Sequence, residues 1–227
     1  MQFGYVPPRH AIAENLLINP RGKINQANEP DGVIAAGDYF CDGWKAGPAG
    51  CEVYIEPDGF RLVSGSMLQL IPNTLESDRL IRTNLDVISG SPVIKVNGVA
   101  DKNTAGVGEY IEIEISGLNS KFSRIIAADS KAKPIYQQSV DEEKPCMHFF
   151  QKINLGRERG YSPDAAGLYI SKAIKRMHKP PAGILFDVLG TVITTFISTL
   201  TIDTVCVAYV TNGIFDVTAS VTLDARP

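Results

Sequence analysis

The side chains able to do chemistry are few and scattered. His10, His148 and His178 are the only histidines, and no two stand at the spacing of a metal site or of a nucleophile and its base. Cys41, Cys51, Cys146 and Cys206 include no C-x-x-C pair for zinc or redox work. Cys41 and Cys51 could meet across a hairpin, but all four read best as buried free thiols. Glu112 and Glu114 alternate in "EYIEIEISG". A glycosidase needs two acids across one cleft at about 5 to 10 Å, which short spacing cannot establish, so this pair reads as the solvated face of a strand. Asp31-Gly32 and Asp58-Gly59 read as turn formers, because neither belongs to a repeated acidic ligand pattern. No G-x-S-x-G, phosphate loop or dinucleotide fingerprint occurs. Trp44, the sole tryptophan, could stack on the C–H face of a sugar, but its setting between Asp42-Gly43 and Lys45 favours a core residue with a satisfied N–H. The expectation is therefore a non-enzyme with no catalytic residues, no metal, no cofactor and no assignable ligand-binding residue.

Composition narrows the partners. The net charge of −3 is slight and no Lys/Arg block stands clear of carboxylates, so nucleic acid is not an expected partner. No apolar run approaches the roughly 18 residues of a membrane span, and "MQFGYVPPRH" lacks the regions of a signal peptide. The chain reads as a soluble protein made in the cytosol without membrane insertion.

The elements that would position any site are strands. "NLLIN" is too short for a helix and ends in Asn19-Pro20 and Gly22, so it reads as an entry strand. "CEVYIEPDGFRLVSGSMLQLI" reads as a hairpin around Pro57-Asp58-Gly59, with a further strand carrying Leu68 and Leu70. Ile111, Ile113 and Ile115 point inward. Near the end, "TIDTVCVAYV" and "FDVTASVTL" flank a tight turn at Asn212-Gly213, with Phe215, Val217, Ala219, Val221 and Leu223 on one face. "TVITTFISTL" has helical spacing while its β-branched residues lean toward a strand, which leaves its type open. Pattern favours a helix in 162–178, where Ser162 caps and Ala166, Tyr169, Ile170, Ala173, Ile174 and Met177 follow helical spacing. Short strands between Gly, Pro, Asn and Asp argue an all-β fold. The expected organisation is an amino-terminal segment, 1–14, a β-sandwich over 15–136, a linker over 137–145 between Pro134 and Pro145, and a smaller β-sandwich over 146–227.

Asn15 to Asn19, then Ile24, Asn25 and Gln26, then Gly37, Tyr39, Asp42, Trp44 and Gly47 resemble the amino-terminal pattern of phage tail-fibre and related receptor-binding virion proteins. That pattern runs N-L-L-I-N, I-N-Q-R, G-x-Y-x-x-D-R-W-x-x-G. "EEKPCMHFFQK", with Glu142, Cys146, Phe149 and Phe150, resembles the family's E-L-x-L-C-Q-R-Y-Y junction. "KAIKRMHKPPA" and Leu223-Asp224-Ala225 are similar to its closing motifs. The resemblance implies a jelly-roll-like first domain of the carbohydrate-binding-module kind, a smaller β-domain, and a strand rather than a helix at Ile170 to Met177. Gly43 and Ala27 stand where the family has arginines, so an arginine–carboxylate lock at those places is expected to be absent, leaving Asp42 without that partner.

The resemblance further implies a virion component of the tail, assembled in the host cytoplasm, that binds host surface glycan. Self-association, as a homotrimer, is expected. Phe3, Tyr5 and the stiff Pro7-Pro8 pair suit 1–14 to anchoring on other tail or baseplate proteins. Two alternatives stay open: a purely structural tail or head decoration protein, and, lower, a glycan-degrading enzyme.

Overall fold

The computed structural model describes residues 13–190 and 194–227, with backbone alone for 158–170, 186–190, 194–196, 198–199, 209–215 and 217. The expected anchoring segment thus lies outside the described residues apart from Ala13 and Glu14. The fold is all-β. A first sheet holds β1 (Gly32–Ile34), β2 (Tyr39–Cys41), β3 (Trp44–Glu56), β4 (Gly59–Pro72), β5 (Leu80–Ser89), β6 (Val93–Val96), β7 (Val99–Ala100), β8 (Lys102–Thr104), β9 (Tyr110–Ser116) and β10 (Ser120–Asp129). After the single helical turn α1 (Glu143–Cys146), a second sheet holds β11 (Phe150–Ala173), β12 (Ala182–Gly190), β13 (Thr194–Leu200) and β14 (Thr204–Asp224).

β4 organises the first sheet. The two strands expected between Phe60 and Leu70 are one continuous strand, because it changes partner along its length. Its first part pairs with β10 through Phe60 and Leu62, its second part pairs with β9 from Ser66 to Pro72, and β3 lies along its other side. A strand shared between two layers curls the sheet into a jelly-roll-like sandwich. The sheet nearly closes, since Asp101 N–H donates to Ile94 O at 3.0 Å while Thr83 N–H donates to Asp101 O at 2.9 Å. Inside lie Phe40, Trp44, Phe60 and Phe122, with Phe60 edge-on to Trp44 at 5.7 Å and to Phe40 at 6.1 Å. Ile111, Ile113 and Ile115 point into this core as expected.

The opening segment is not a strand, which corrects the expectation. Leu16 N–H reaches Ala127 O at 2.8 Å, but no ladder follows. Side-chain amides replace it. Asn15 donates to Ile125 O at 2.9 Å and accepts from Ala127 N–H at 3.1 Å. Gln69 accepts from Ile18 N–H at 2.8 Å and donates to Ile18 O at 3.0 Å. An amide side chain offers one donor and one acceptor group, as a peptide unit does, so it can satisfy a buried extended segment that has no neighbouring strand.

The second sheet is built on the long β11–β14 pair, and this pair doubles back on itself. Val205 pairs with Leu200, and Gly183 pairs with Leu223. The Cβ position of Gly183 lies 2.8 Å from Leu200 Cδ2 and 3.6 Å from Leu223 Cδ2. A straight strand would hold Val205 and Leu223 roughly 60 Å apart. The bend enfolds a core of Leu155, Met177, Val205, Val207, Ala219, Val221 and Leu223. One expectation fails at this corner, and one open alternative is decided. Asn212-Gly213 is not a hairpin turn but part of β14, where Gly213 pairs with Ser162, and the register then slips before Ala166 pairs with Thr211. Of the two readings of 162–178, the strand that the resemblance implies holds as far as Ala173, because a ladder to the β-branched β14 outweighs a short helical spacing. The extra residues of the slip, including Pro163, form a bulge, a position that tolerates a missing N–H. Ile174 and Met177 follow the strand and donate their N–H groups to Asp203 O and Ile202 O. β13 is a strand, while 191–193 lie outside the described residues, as do the side chains of Phe215 and Val217.

Between the sheets, Arg21 grips Glu142 through Nε at 3.2 Å and Nη2 at 3.0 Å, and Tyr136 donates to the same carboxylate at 2.8 Å. The opening segment is thereby tied to the residues just before α1.

Gly59, at φ +119°, begins β4 with its Cβ direction 2.2 Å from Phe122 O. Gly98, at φ +78°, has open space there. Gly59→Ala should therefore lower unfolding stability by about 2 to 4 kcal/mol and Gly98→Ala by about 1 kcal/mol, read as shifts in the denaturant midpoint.

Candidate functional site

The carboxy-terminal residues build the most concentrated polar cluster. β14 ends at Asp224, Ala225 is fully buried with its N–H on Phe149 O at 2.8 Å, and Arg226 is thereby directed back across the junction of the two sheets. Its guanidinium lies 4.3 Å from the centre of the Tyr39 ring and 4.9 Å from that of Phe150. Nη2 donates to Asp224 at 2.7 Å and Nη1 to Glu29 at 3.0 Å. Burial works against the Arg226 charge, but the Asp224 and Glu29 carboxylates outweigh it and hold its pKa above the ordinary value. Tyr39 donates its hydroxyl to Pro227 O at 2.7 Å, and Lys45 Nζ reaches the same oxygen at 3.1 Å. Burial raises the Tyr39 phenol well above its usual range.

Behind this cluster Asp42 accepts from Gln26 N–H at 2.7 Å and from Gln26 Nε2 at 2.6 Å. Gln26 Nε2 also reaches Phe150 O at 3.2 Å. The Gln26 amide thus holds Asp42, at a place where the family pattern would set arginines and this chain has Gly43 and Ala27. Burial raises its pKa, against the two hydrogen bonds from Gln26.

Two adjoining depressions share Glu29, Tyr39 and Arg226, one of about 740 Å³ and one of about 460 Å³. The larger has Lys152, Lys179, Thr222 and Asp224 on its walls, over apolar surface from Ala27, Pro180, Ala182 and Ile184. The smaller continues along Pro30, Val33 and Asp38. Apolar surface lies beside fixed donors and acceptors in both depressions, the mixture that lets a site both bury and orient a ligand. The planar Arg226 fork is held by its two carboxylates, so its position is set before any ligand arrives.

The residues weighed for chemistry in the sequence fall elsewhere. Trp44 is fully buried and donates Nε1–H to Asn19 O at 2.9 Å, which makes it core. Glu112 and Glu114 are half-buried rather than solvated, and Glu114 accepts from Lys95 at 2.9 Å. Asp31 accepts from Ile55 N–H at 3.1 Å, and Asp58 faces Arg21, Lys23 and Arg124. Cys41, Cys51 and Cys146 are buried thiols outside any disulfide, while Cys206 is only half-buried. Burial pushes the Cys51 thiol up to about 11. Among the described residues no group of three or more His, Cys, Asp or Glu could hold a metal ion. Arg226, Glu29 and Asp224 were missed as a site. Tyr39, Phe150 and Asp224 do stand within or beside the motif residues, but nothing in their spacing reveals that they converge.

The fold does join two histidines that lie far apart in sequence. His178 N–H donates to His148 O at 2.7 Å, and its Nε2 shares a 3.0 Å hydrogen bond with the Tyr110 hydroxyl across the two sheets, beside the Phe149 ring. Burial, and then the Lys179 charge, lower the His178 pKa below its ordinary 6.5, with Glu109 opposing. The unfolded chain then binds the proton more readily, so this contribution to stability is complete above about pH 6.5 and is lost as pH falls through the folded value. Denaturant midpoints should drop from about pH 7.5 to about pH 5, and His178→Phe should flatten that part of the dependence.

No protein-family model, curated protein or solved structure matches this chain.

Proposed function

We propose that this chain is a phage virion subunit of the tail-fibre or receptor-binding kind, which adheres to host cell-surface glycan through the cleft at Tyr39 and Arg226. The observation that carries the reading is that cleft: a groove with a preset arginine fork, flanking carboxylates and apolar stretches, the mixture of surfaces that a saccharide presents. The β-framework supports it, since Tyr39 on β2, Phe150 on β11 and Arg226 just past the end of β14 are held in place by paired strands at low ordering cost. Single contacts with glycans are shallow and wet, so adhesion rests on several copies acting together. We therefore include a homotrimer in the proposal, with residues before Asn15 joining it to other tail or baseplate proteins. Exposed Val87, Ile88, Val93 and Leu118 support self-association. They lie at one end of the first sheet, where the β5–β6 and β9–β10 connections meet through Gly117 and Pro92.

The test is adsorption of the labelled full chain to a panel of bacterial strains before and after periodate oxidation of their surface sugars. The expected result is binding to some strains that periodate abolishes, together with a trimeric mass by light scattering. Absence of binding to every strain would favour a purely structural role, and release of reducing sugar would favour an enzyme.

A further inference from the structure

The walls of the larger depression are not balanced in charge. Glu29 and Asp224 are both committed to Arg226. Lys152 and Lys179 line the same depression, are exposed, and have no carboxylate partner among the described residues. Lys152 stands on β11 at the register position of Thr222, and Lys179 follows His178 in the connection before β12. Burial lowers the pKa of Lys45, at the edge of this region, with Glu112 opposing and the Lys179 charge adding a smaller decrease. Unpartnered ammonium groups beside a groove are a recognition device for anions, because a lysine acts as a mobile point charge that can follow a ligand's carboxylate.

We infer that the cleft takes an acidic saccharide, with Lys152 and Lys179 meeting its carboxylate or phosphate groups while the Tyr39–Arg226 wall meets its hydroxyl-bearing face. The Arg226 fork, already paired with two carboxylates, serves as a fixed wall rather than the anion's partner. This inference rests on the glycan-binding reading above and assigns the chemical class of the glycan.

The full chain would be tested on immobilised oligosaccharides bearing uronate, sialate or phosphate groups beside neutral chains of matched length, at low and at high salt. The expected result is retention on acidic chains only, weakened by salt because exposed charges are screened. A Lys152→Ala/Lys179→Ala double variant should lose affinity for acidic chains by about tenfold or more. Both side chains are exposed and have no ion-pair partner among the described residues, so this variant should keep the denaturant midpoint of the parent. Equal binding of neutral and acidic chains, or unchanged affinity in the double variant, would overturn the inference while leaving glycan adhesion standing. Failure to retain any saccharide would overturn both.

Discussion

A buried hydrogen-bond knot around Asn19 and Asp42 sets where the rest of the chain can go. Asn19 is 1% exposed and Asp42 3%, so every polar atom they carry needs a protein partner. Asn19 Nδ2 reaches Ile24 O and Asp42 O, its Oδ1 accepts from Ile24 N–H, and its backbone oxygen accepts from the Trp44 indole. Asp42 takes two hydrogen bonds from Gln26, which also reaches Phe150 O. One network thus ties the opening segment, the β2–β3 hairpin, the aromatic core and the first residue of the second sheet. A half-satisfied version would leave buried polar groups at a cost of about 1–3 kcal/mol each.

That knot explains why the cleft has a fixed shape. Phe150 is held from the Gln26 side, and its ring forms one wall of the slot that receives Arg226, with Tyr39 of the same hairpin forming the other. Arg226 then bridges Glu29, in the connection before β1, and Asp224, the last residue of β14. Aromatic stacking and paired carboxylates offset the desolvation of the guanidinium, which each alone would do less well. The walls are therefore organised by contacts that serve folding, while Lys152 and Lys179 at the rim have no carboxylate partner among the described residues.

The two sheets solve the packing of long strands differently. In the first, β4 exchanges β10 for β9 along its length and the sheet curls around one core. In the second, the β11–β14 pair folds over a slipped register between Ser162 and Ala166, and the two halves cover each other. A long two-stranded ribbon cannot bury both its faces unless it bends, and a bulge supplies the bend without breaking the ladder on either side.

The sequence by itself determined the all-β class, the inward face of Ile111, Ile113 and Ile115, the turn at Asp58-Gly59 and the core role of Trp44. Each follows from residue type and alternation within a few positions, where local sterics and burial act. Tertiary structure decided the rest. "NLLIN" looks like a strand but is held by side-chain amides from Gln69 and by its own Asn15, partners no local pattern can name. Asn212-Gly213 favours a tight turn, yet its position opposite Ser162 in a paired ladder made it strand. Segment 162–178 has helical spacing, but hydrogen bonds to residues more than thirty positions away were available to its strand portion. The cleft is the extreme case: Glu29, Tyr39, Phe150 and Arg226 come from four separate stretches, and only the closure of both sheets onto one knot places a guanidinium between two rings and two carboxylates.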